Sequence, residues 1–386
     1  MKCDVLVVGA SPAGIMASIS AAKAGSNVII IDRDLGSLNH AANTIFEGMA
    51  SRTGLEIDGS YVLKTLKGMR ILSPSGHAVT IPAKGYFLDR KIFDSYYLGM
   101  AEDAGVILQQ SAAIGMKPID GKRFVSTSIG RIEAKVVVDA SGVKPALAAE
   151  AGLSTMRHPL DIAWAVEATV QHSGLGEEDF FQYWIGSMAP GWKATFSPAG
   201  GDMATLGVFV RGQGSDVKPF FRRFLSYFKQ YKLKDYRDIE NMKVLSSRIG
   251  GDPIAVLPGD IVSDGFMAVG GAAGQSGLAY SMRAGRICGE VAAKAVLDGD
   301  VAHRALARYE HLWRSEFYWE YRLGRAALET LRNLRDDEID RLVQGLSEKC
   351  LISEGPLYKK AINAAMLAAS VRPRVVLDLT LNLARG

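Results

Sequence analysis

The first hydrophobic segment of the chain predicts a strand, a turn, a helix and a second strand. Residues 4–8 form a continuous apolar run rich in β-branched residues, as in a buried parallel strand. A small-residue turn follows, then an apolar helix over residues 15–24 that Gly25 ends, and a second apolar run over residues 28–31. This order predicts a βαβ unit at the start of the chain.

The middle of the chain shows the alternation of half-buried strands. Residues 69–88 alternate around a Pro-Ser-Gly turn and predict a β-hairpin, and residues 89–105 predict a helix. Residues 160–212 predict further strands, and residues 217–231 predict an amphipathic helix. The segment 35–60 carries Gly, Ser and Asn and predicts irregular structure.

The last third of the chain repeats the opening pattern and then turns helical. Residues 264–300 predict a strand, a glycine turn and a helix, and the pattern is helical from residue 303 onward. A nucleotide-binding domain interrupted by a cap domain explains this order most simply. We therefore predict an α/β fold with a Rossmann-like domain, an α+β cap with an antiparallel sheet, and a C-terminal helical region.

Domain boundaries follow from these elements. The nucleotide-binding domain is expected over residues 1–65, 86–153 and 255–300. The cap domain is expected over residues 66–85 and 154–254, and the C-terminal helical domain over 301–386.

Composition narrows the classes of partner. The chain has 386 residues, 48% of them hydrophobic, so it can build a large core. Its formal net charge of +4 is too small for this length to indicate nucleic-acid binding. Three cysteines without C-x-x-C spacing and six histidines without a ligand motif predict no metal site.

Location follows from the absence of targeting signals in the sequence. The N-terminus enters a strand directly, and no apolar run reaches the roughly 18 residues that span a bilayer. We expect a cytoplasmic protein. The aromatic and basic helix 217–231 leaves a peripheral membrane contact open, although packing on a sheet with a solvated basic face is favoured.

The turn between the first strand and helix carries a phosphate-binding pattern. Gly9, Ser11 and Gly14 stand at the G-x-G-x-x-G positions, with Pro12 and Ala13 between them. A helix N-terminus offers free N–H groups and a positive dipole end to a pyrophosphate. Ser11 replaces the middle glycine with a small hydroxyl that can donate to a phosphate oxygen.

An acid completes this pattern at the end of the second strand. Asp32, followed by Arg33, stands where a carboxylate accepts hydrogen bonds from a ribose. The long insertion and the second glycine turn at residues 270–277 favour FAD over NAD as the dinucleotide.

Several stretches together resemble the geranylgeranyl reductase family of flavoproteins, within the p-hydroxybenzoate hydroxylase-like group. They are YFLDRKIFDSYYLGMAEDAGV, AKVVVDASGVKPALAAEAGL, YWIGSMAPGWKATFSPAGGDMATLGVFV and the helical C-terminal region. The resemblance implies an FAD-binding domain of the glutathione reductase type. It implies further FAD contacts at Arg90, Ala113, Asp139, Gly142, Gly271, Gly274, Gly277 and Leu278. It also implies a lipid cavity lined by Tyr183, Trp184, Trp192 and Phe196.

The resemblance implies a reductase of isolated double bonds in an isoprenoid lipid. Gly271 stands where the family has an aspartate, and AANTIFEGM replaces its Cys-Gly-Glu segment. The sequence therefore identifies no catalytic acid and no electron donor. A flavin monooxygenase of the same superfamily, and a lipid-binding protein without flavin turnover, remain alternatives.

Overall fold

Two eight-stranded sheets and the helices around them make up the computed structural model. The structure describes residues 1–35, 42–347 except 157, 213, 255 and 258, and then 369 and 373–385. The predicted α/β class is confirmed.

The first sheet is the nucleotide-binding sheet. Its strand order is β15-β16-β9-β1-β2-β6. In addition, β8 pairs antiparallel with β9, and β7 pairs antiparallel with β8. Strands β16, β9, β1, β2 and β6 run parallel, as continuous β-branched runs predict. The strands are β1 (Lys2–Val8), β2 (Val28–Asp32), β6 (Ile107–Gln110), β7 (Ala113–Ile119), β8 (Lys122–Thr127), β9 (Gly130–Asp139), β15 (Val262–Ser263) and β16 (Phe266–Ala268).

The second sheet, called the cap sheet below, has the strand order β14-β10-β13-β12-β11-β4-β5-β3. All its neighbours pair antiparallel except β11 and β4. The strands are β3 (Thr44–Phe46), β4 (Val62–Leu72), β5 (Ala78–Leu88), β10 (Ile162–Gln171), β11 (Phe180–Trp184), β12 (Lys193–Gly200), β13 (Met203–Arg211) and β14 (Lys243–Pro253). The predicted hairpin is confirmed as β4 and β5, whereas the predicted domain boundaries stay a prediction.

The helices that the structure describes are α1 (Pro12–Lys23), α2 (Glu47–Thr53), α3 (Arg90–Asp103), α4 (Lys218–Lys232), α5 (Leu278–Asp298), α6 (His303–Leu306), α7 (Arg308–Arg332), α8 (Asp336–Ser347) and α9 (Pro373–Arg385). Among the described residues, no helix is both long and apolar enough to cross a membrane.

The prediction of irregular structure over residues 35–60 is wrong in part, because β3 and α2 lie within this segment. Strand β3 has three residues, and it forms because Ile45 pairs with Tyr86 of β5. A pairing partner about 40 residues away in the chain leaves no periodic signal in so short a strand. Residues 36–41 of the same segment lie outside the described part.

Helices α1 and α5 approach each other closely because glycines line their contact. A Cβ atom at Gly285 would lie 2.2 Å from the carbonyl oxygen of Ala13, and one at Gly289 would lie 2.1 Å from that of Ala17. This contact brings the start of α1 beside the 270–277 loop, which precedes α5. The two glycine-rich segments of the sequence therefore meet in space.

Helix α4 packs on one face of the cap sheet. Its Phe221, Phe224 and Phe228 are buried against that face, in a core that also holds Leu206 and Val208 of β13. The prediction of a helix packed on a sheet is confirmed.

Candidate functional site

The 9–14 turn has the backbone geometry of a phosphate-binding turn. Gly9 has a φ of +105°, and a Cβ atom there would lie 2.6 Å from the Ala140 carbonyl oxygen. A Cβ atom at Gly14 would lie 2.1 Å from the Gly9 carbonyl oxygen, so no side chain fits at either position. Ser11 caps α1, because its Oγ accepts a hydrogen bond from the Gly14 N–H at 3.3 Å.

The Ser11 hydroxyl hydrogen is not used in that cap bond. It remains free to donate to a phosphate oxygen at the helix N-terminus, as predicted for this substitution. Pro12 occupies the first position of α1, where a missing N–H removes no intrahelical bond, and Ala13 is buried behind it.

Asp32 connects the turn to the end of β2. One carboxylate oxygen accepts from the Ala10 N–H at 2.7 Å, and the other accepts from the Asp34 N–H at 3.0 Å. The Asp32 carbonyl accepts from the Ser111 N–H at 2.7 Å, which brings the start of β7 at Ala113 to the same sheet edge. Arg33 is exposed beside Asp32. These residues lie together where the sequence predicts the adenosine end of FAD.

The 270–277 loop is fixed by two tyrosines of α7. The Gly270 N–H donates to Gln275 Oε1 at 2.8 Å, and Gln275 Nε2 donates to the Tyr309 hydroxyl oxygen at 2.7 Å. The Tyr321 hydroxyl donates to the Ser276 carbonyl at 2.8 Å. No sequence pattern indicates this support, since α7 lies more than 30 residues further along the chain.

Glycines of this loop make close contacts that side chains would block. A Cβ atom at Gly274 would lie 2.7 Å from Val256 Cβ, and one at Gly277 would lie 3.3 Å from the Tyr280 ring. Both glycines have positive φ, at +77° and +87°. Leu278 begins α5 directly after Gly277 and is buried.

Backbone atoms lie close to Gly271, the position at which the family has an aspartate. A Cβ atom at Gly271 would lie 3.1 Å from the Gly142 Cα and 3.2 Å from the Val143 nitrogen. Gly142 itself has a φ of +95°. The loop after β9 thus approaches the 270–277 loop at the place where a longer side chain would begin.

Asp139 is held by its own loop. It is 0% exposed, and its two oxygens accept from the N–H groups of Ser141 at 3.0 Å and Leu147 at 2.8 Å. Asp139 therefore shapes the loop that contains Gly142. Its contact with FAD stays a prediction.

Arg90 is buried and fixes the segment before β3. It forms an ion pair with Asp94 at 2.8 Å, and it donates to the Ala42 carbonyl at 2.7 Å. Within the cap sheet, Thr44 of β3 then forms a 2.5 Å hydrogen bond with Ser197 of β12. The place of Arg90 beside the flavin stays a prediction.

The alternating residues of the cap sheet divide into two faces with different environments. Trp184 and Phe196 are 0% exposed and pack against the aromatic rings of α4, for example Trp184 on Phe224 at 5.2 Å between ring centroids. We call this the outer face. The predicted cavity lining by Trp184 and Phe196 is wrong, because α4 fills the space that these two side chains face.

The opposite face, called the inner face below, carries Tyr183, Lys193 and Phe209. Lys193 Nζ lies 5.1 Å from the Phe209 ring centroid and 5.9 Å from that of Tyr183, and the neighbouring Trp192 ring lies at 5.0 Å. Burial raises the pKa of Tyr183 and lowers the pKa of Lys193. Both side chains nevertheless keep accessible surface, so the inner face borders a space that protein atoms do not fill completely.

Asp252 of β14 borders the same space. Burial raises the pKa of this carboxyl to about 6, while the charge of Lys193 works in the opposite direction. No sequence motif marks Asp252 as a functional residue.

Known proteins resemble this chain along its whole length. A family model described as FAD dependent oxidoreductase matches residues 4–158. Digeranylgeranylglycerophospholipid reductase 1 of Methanothermobacter thermautotrophicus is 32% identical over 98% of each chain. The corresponding reductase of Methanocaldococcus jannaschii is 32% identical over 89% of this chain and 90% of its own.

This chain belongs to the geranylgeranyl reductase family of FAD-dependent oxidoreductases. Solved structures show the same fold. A geranylgeranyl bacteriochlorophyll reductase-like protein from Thermoplasma acidophilum superposes with a TM-score of 0.86 at 24% identity, over 99% of each chain. A halogenase in complex with FAD superposes with a TM-score of 0.68 at 12% identity, over 100% of this chain and 86% of the other.

The residues of this geranylgeranyl reductase family member fit FAD. The 9–14 turn leaves room for a pyrophosphate because Gly9 and Gly14 exclude any side chain. Asp32 offers carboxylate oxygens at the adjoining sheet edge, and the 270–277 loop is fixed beside the start of α1. The protein is an FAD-dependent oxidoreductase, as predicted.

Proposed function

We propose that this protein saturates isolated double bonds in the isoprenoid chains of a polar lipid. The observation that carries the proposal is the full-length similarity to a digeranylgeranylglycerophospholipid reductase, at 32% identity. The aromatic inner face of the cap sheet, which lies near the 270–277 loop, supports it. An isoprenoid chain is apolar, and an aromatic surface next to a cofactor loop suits such a ligand.

The binding residues have separate tasks in this proposal. The 9–14 turn and Asp32 hold the pyrophosphate and the adenosine ribose, and the remaining predicted contacts hold the rest of the cofactor. When bound and reduced, FAD supplies the hydride for the reduction. Tyr183 and Trp192 are kept as predicted substrate contacts, and the structure adds Phe209 on the same inner face.

Helix α7 packs on the inner face and also holds the 270–277 loop. Leu328 of α7 packs over Ala163 and Ile254 at one end of this face, beside Trp192 and Phe209. Helix α7 also fixes the 270–277 loop through Tyr309 and Tyr321. One helix therefore sets the distance between the cap sheet and the loop where the flavin is expected.

Two measurements separate this proposal from its alternatives. The purified protein should show the absorbance band of oxidised flavin, whereas a lipid-binding protein without cofactor should not. After anaerobic reduction, the protein should saturate double bonds of an added digeranylgeranylglycerophospholipid. Oxygen consumption stimulated by the lipid, without saturation, would instead support a monooxygenase.

A further inference from the structure

Lys193 and Asp252 are two ionisable residues on the inner face that the site described so far does not use. Lys193 lies on β12 and Asp252 on β14, with β13 and β10 between them. The register places Ala165 of β10 opposite Phe209 of β13, which in turn lies opposite Lys193. Gly250 pairs with Ala165 on the other side, and a Cβ atom at Gly250 would meet nothing within 4 Å. Phe209 therefore lies next to Lys193, whereas the small Ala165 and Gly250 leave room above the sheet on the side of Asp252.

Neither side chain is neutralised by a direct partner. Among the described residues, Lys193 and Asp252 form no hydrogen bond or ion pair, and the Lys193 ammonium lies among three aromatic rings. By contrast, Glu167 on the same face is paired with Arg248. An unpaired buried acid costs free energy of folding, so its presence needs a reason other than stability.

Asp252 lies where the cap sheet meets the 270–277 loop. Four residues further along the chain, Val256 occupies the space beside Gly274, with its Cβ 2.7 Å from where a Gly274 side chain would begin. The charge of Asp252 also raises the pKa of Tyr321, whose hydroxyl donates to the Ser276 carbonyl. The carboxyl therefore borders both surfaces between which the substrate is proposed to bind.

Three titratable groups from three elements act on this carboxyl. Lys193 of β12 favours its charged form, and Glu167 of β10 disfavours it. Tyr321 of α7 is close enough to interact with its charge. Burial is the main cause that raises the pKa of Asp252; Lys193 opposes it and Glu167 adds to it, and the pKa is about 6, so the carboxyl carries a proton at mildly acidic pH.

We propose that Asp252 delivers a proton to the substrate in the space between the inner face and the 270–277 loop, with Lys193 as its positioning residue. This inference rests on the proposed function. Saturation of a double bond adds a hydride to one carbon and a proton to the other. The proton leaves Asp252 Oδ and forms the second C–H bond as the π bond is lost, and the carboxylate regains a proton from water.

The test compares isosteric variants of the FAD-loaded protein. After anaerobic reduction with dithionite, each variant is mixed with a digeranylgeranylglycerophospholipid, and saturation is followed by mass spectrometry. Asp252→Asn should slow saturation by about 100-fold or more, the usual contribution of a general acid, without changing FAD content. Asp179→Asn is the matched control, because Asp179 precedes β11 of the same sheet but pairs with Lys67 at the surface.

A second variant provides a readout that a purely structural role would not change. In the unmodified protein the saturation rate should fall as the pH rises through about 6, because only protonated Asp252 can donate. Lys193→Met should move this fall to higher pH, since the lost positive charge raises the pKa of Asp252. Carbon-13 NMR of aspartate-labelled protein, with the signal assigned by its loss in Asp252→Asn, should give the same midpoint without any substrate.

The outcomes separate this inference from the proposed function. Saturation by Asp252→Asn at the rate of the unmodified protein would overturn the role of Asp252 and leave the reductase function standing. A titration midpoint for Asp252 near the ordinary value of 3.8 would also overturn it. Failure of the unmodified protein to saturate the lipid would count against the proposed function.

Discussion

Gly14 shows how one residue controls the cofactor site. Its missing side chain lets α1 begin directly against the Gly9 carbonyl and Ala140, whose Cβ would lie 2.8 Å from a Cβ at this position. Since the spacing of such glycines is local, the sequence predicts this turn correctly. It cannot predict Lys193 and Asp252 as a pair, because only the cap-sheet register brings these residues to one space.

Gly14→Ala should abolish retention of FAD. The added carbon would lie 2.1 Å from the Gly9 carbonyl oxygen, so the turn must shift away from its phosphate-binding geometry. Gly99→Ala in α3 is the control, because a Cβ atom there meets nothing within 4 Å. Flavin content is measured by absorbance after gel filtration, and a folded Gly14→Ala protein with full flavin content would disprove this assignment of the turn.

Asp252→Asn should stabilise the protein at neutral and higher pH. The pKa of Asp252 is raised from 3.8 to about 6 in the folded state, so the folded protein loses stability as the pH rises between these values. Asparagine does not ionise, so the variant does not lose stability in this pH range. The free energy of unfolding of the variant should exceed that of the parent by about 1–3 kcal/mol above pH 7.

Urea unfolding at several pH values checks this prediction. The difference between the two proteins should widen as the pH rises from about 4 to about 7 and stay constant above that. A difference that does not change with pH would mean that Asp252 is not held protonated by the folded structure.

At the scale of elements, helices decide which face of the cap sheet can bind a ligand. Alternation along β11 and β12 predicts two faces but not which of them a helix covers. Helix α4 covers the outer face, which is why the predicted roles of Trp184 and Phe196 are wrong. Helix α7 instead contacts the inner face and the 270–277 loop, and its polar contacts leave no periodic signal in the sequence.

Tyr309→Phe should weaken FAD binding. The change removes the hydroxyl that accepts from Gln275 Nε2 at 2.7 Å and leaves a buried amide N–H without that partner. Such a loss costs about 1–3 kcal/mol, and part of it should appear as a looser 270–277 loop. Titration of the apoprotein with FAD measures the effect, which we expect to be about tenfold in Kd.

Tyr318→Phe provides the matched control on the same helix. Its hydroxyl accepts from Arg322, away from the loop. Equal FAD affinity for Tyr309→Phe and Tyr318→Phe would show that the contacts of Tyr309 do not support the cofactor site.

At the scale of the whole molecule, the two sheets place the FAD-binding part beside the inner face, which is the proposed substrate surface. The order of elements along the chain predicts this arrangement, because the strand–turn–helix pattern occurs on both sides of the strand-rich middle. The contacts through which α7 joins the two parts, Tyr309 with Gln275 of the 270–277 loop and Glu329 with Arg211 of β13, cannot be predicted in this way. Their partners lie 34 and 118 residues apart in the chain.

The most direct test of the central claim is a single turnover measured in one anaerobic sample. The FAD-loaded protein is reduced with one equivalent of dithionite and mixed with excess digeranylgeranylglycerophospholipid. Flavin absorbance and lipid mass are then recorded together. We predict that one isoprenoid double bond is saturated for each FAD that returns to its oxidised form. Reoxidation of the flavin with no change in lipid mass, or a stably reduced flavin beside the unreacted lipid, would contradict the account.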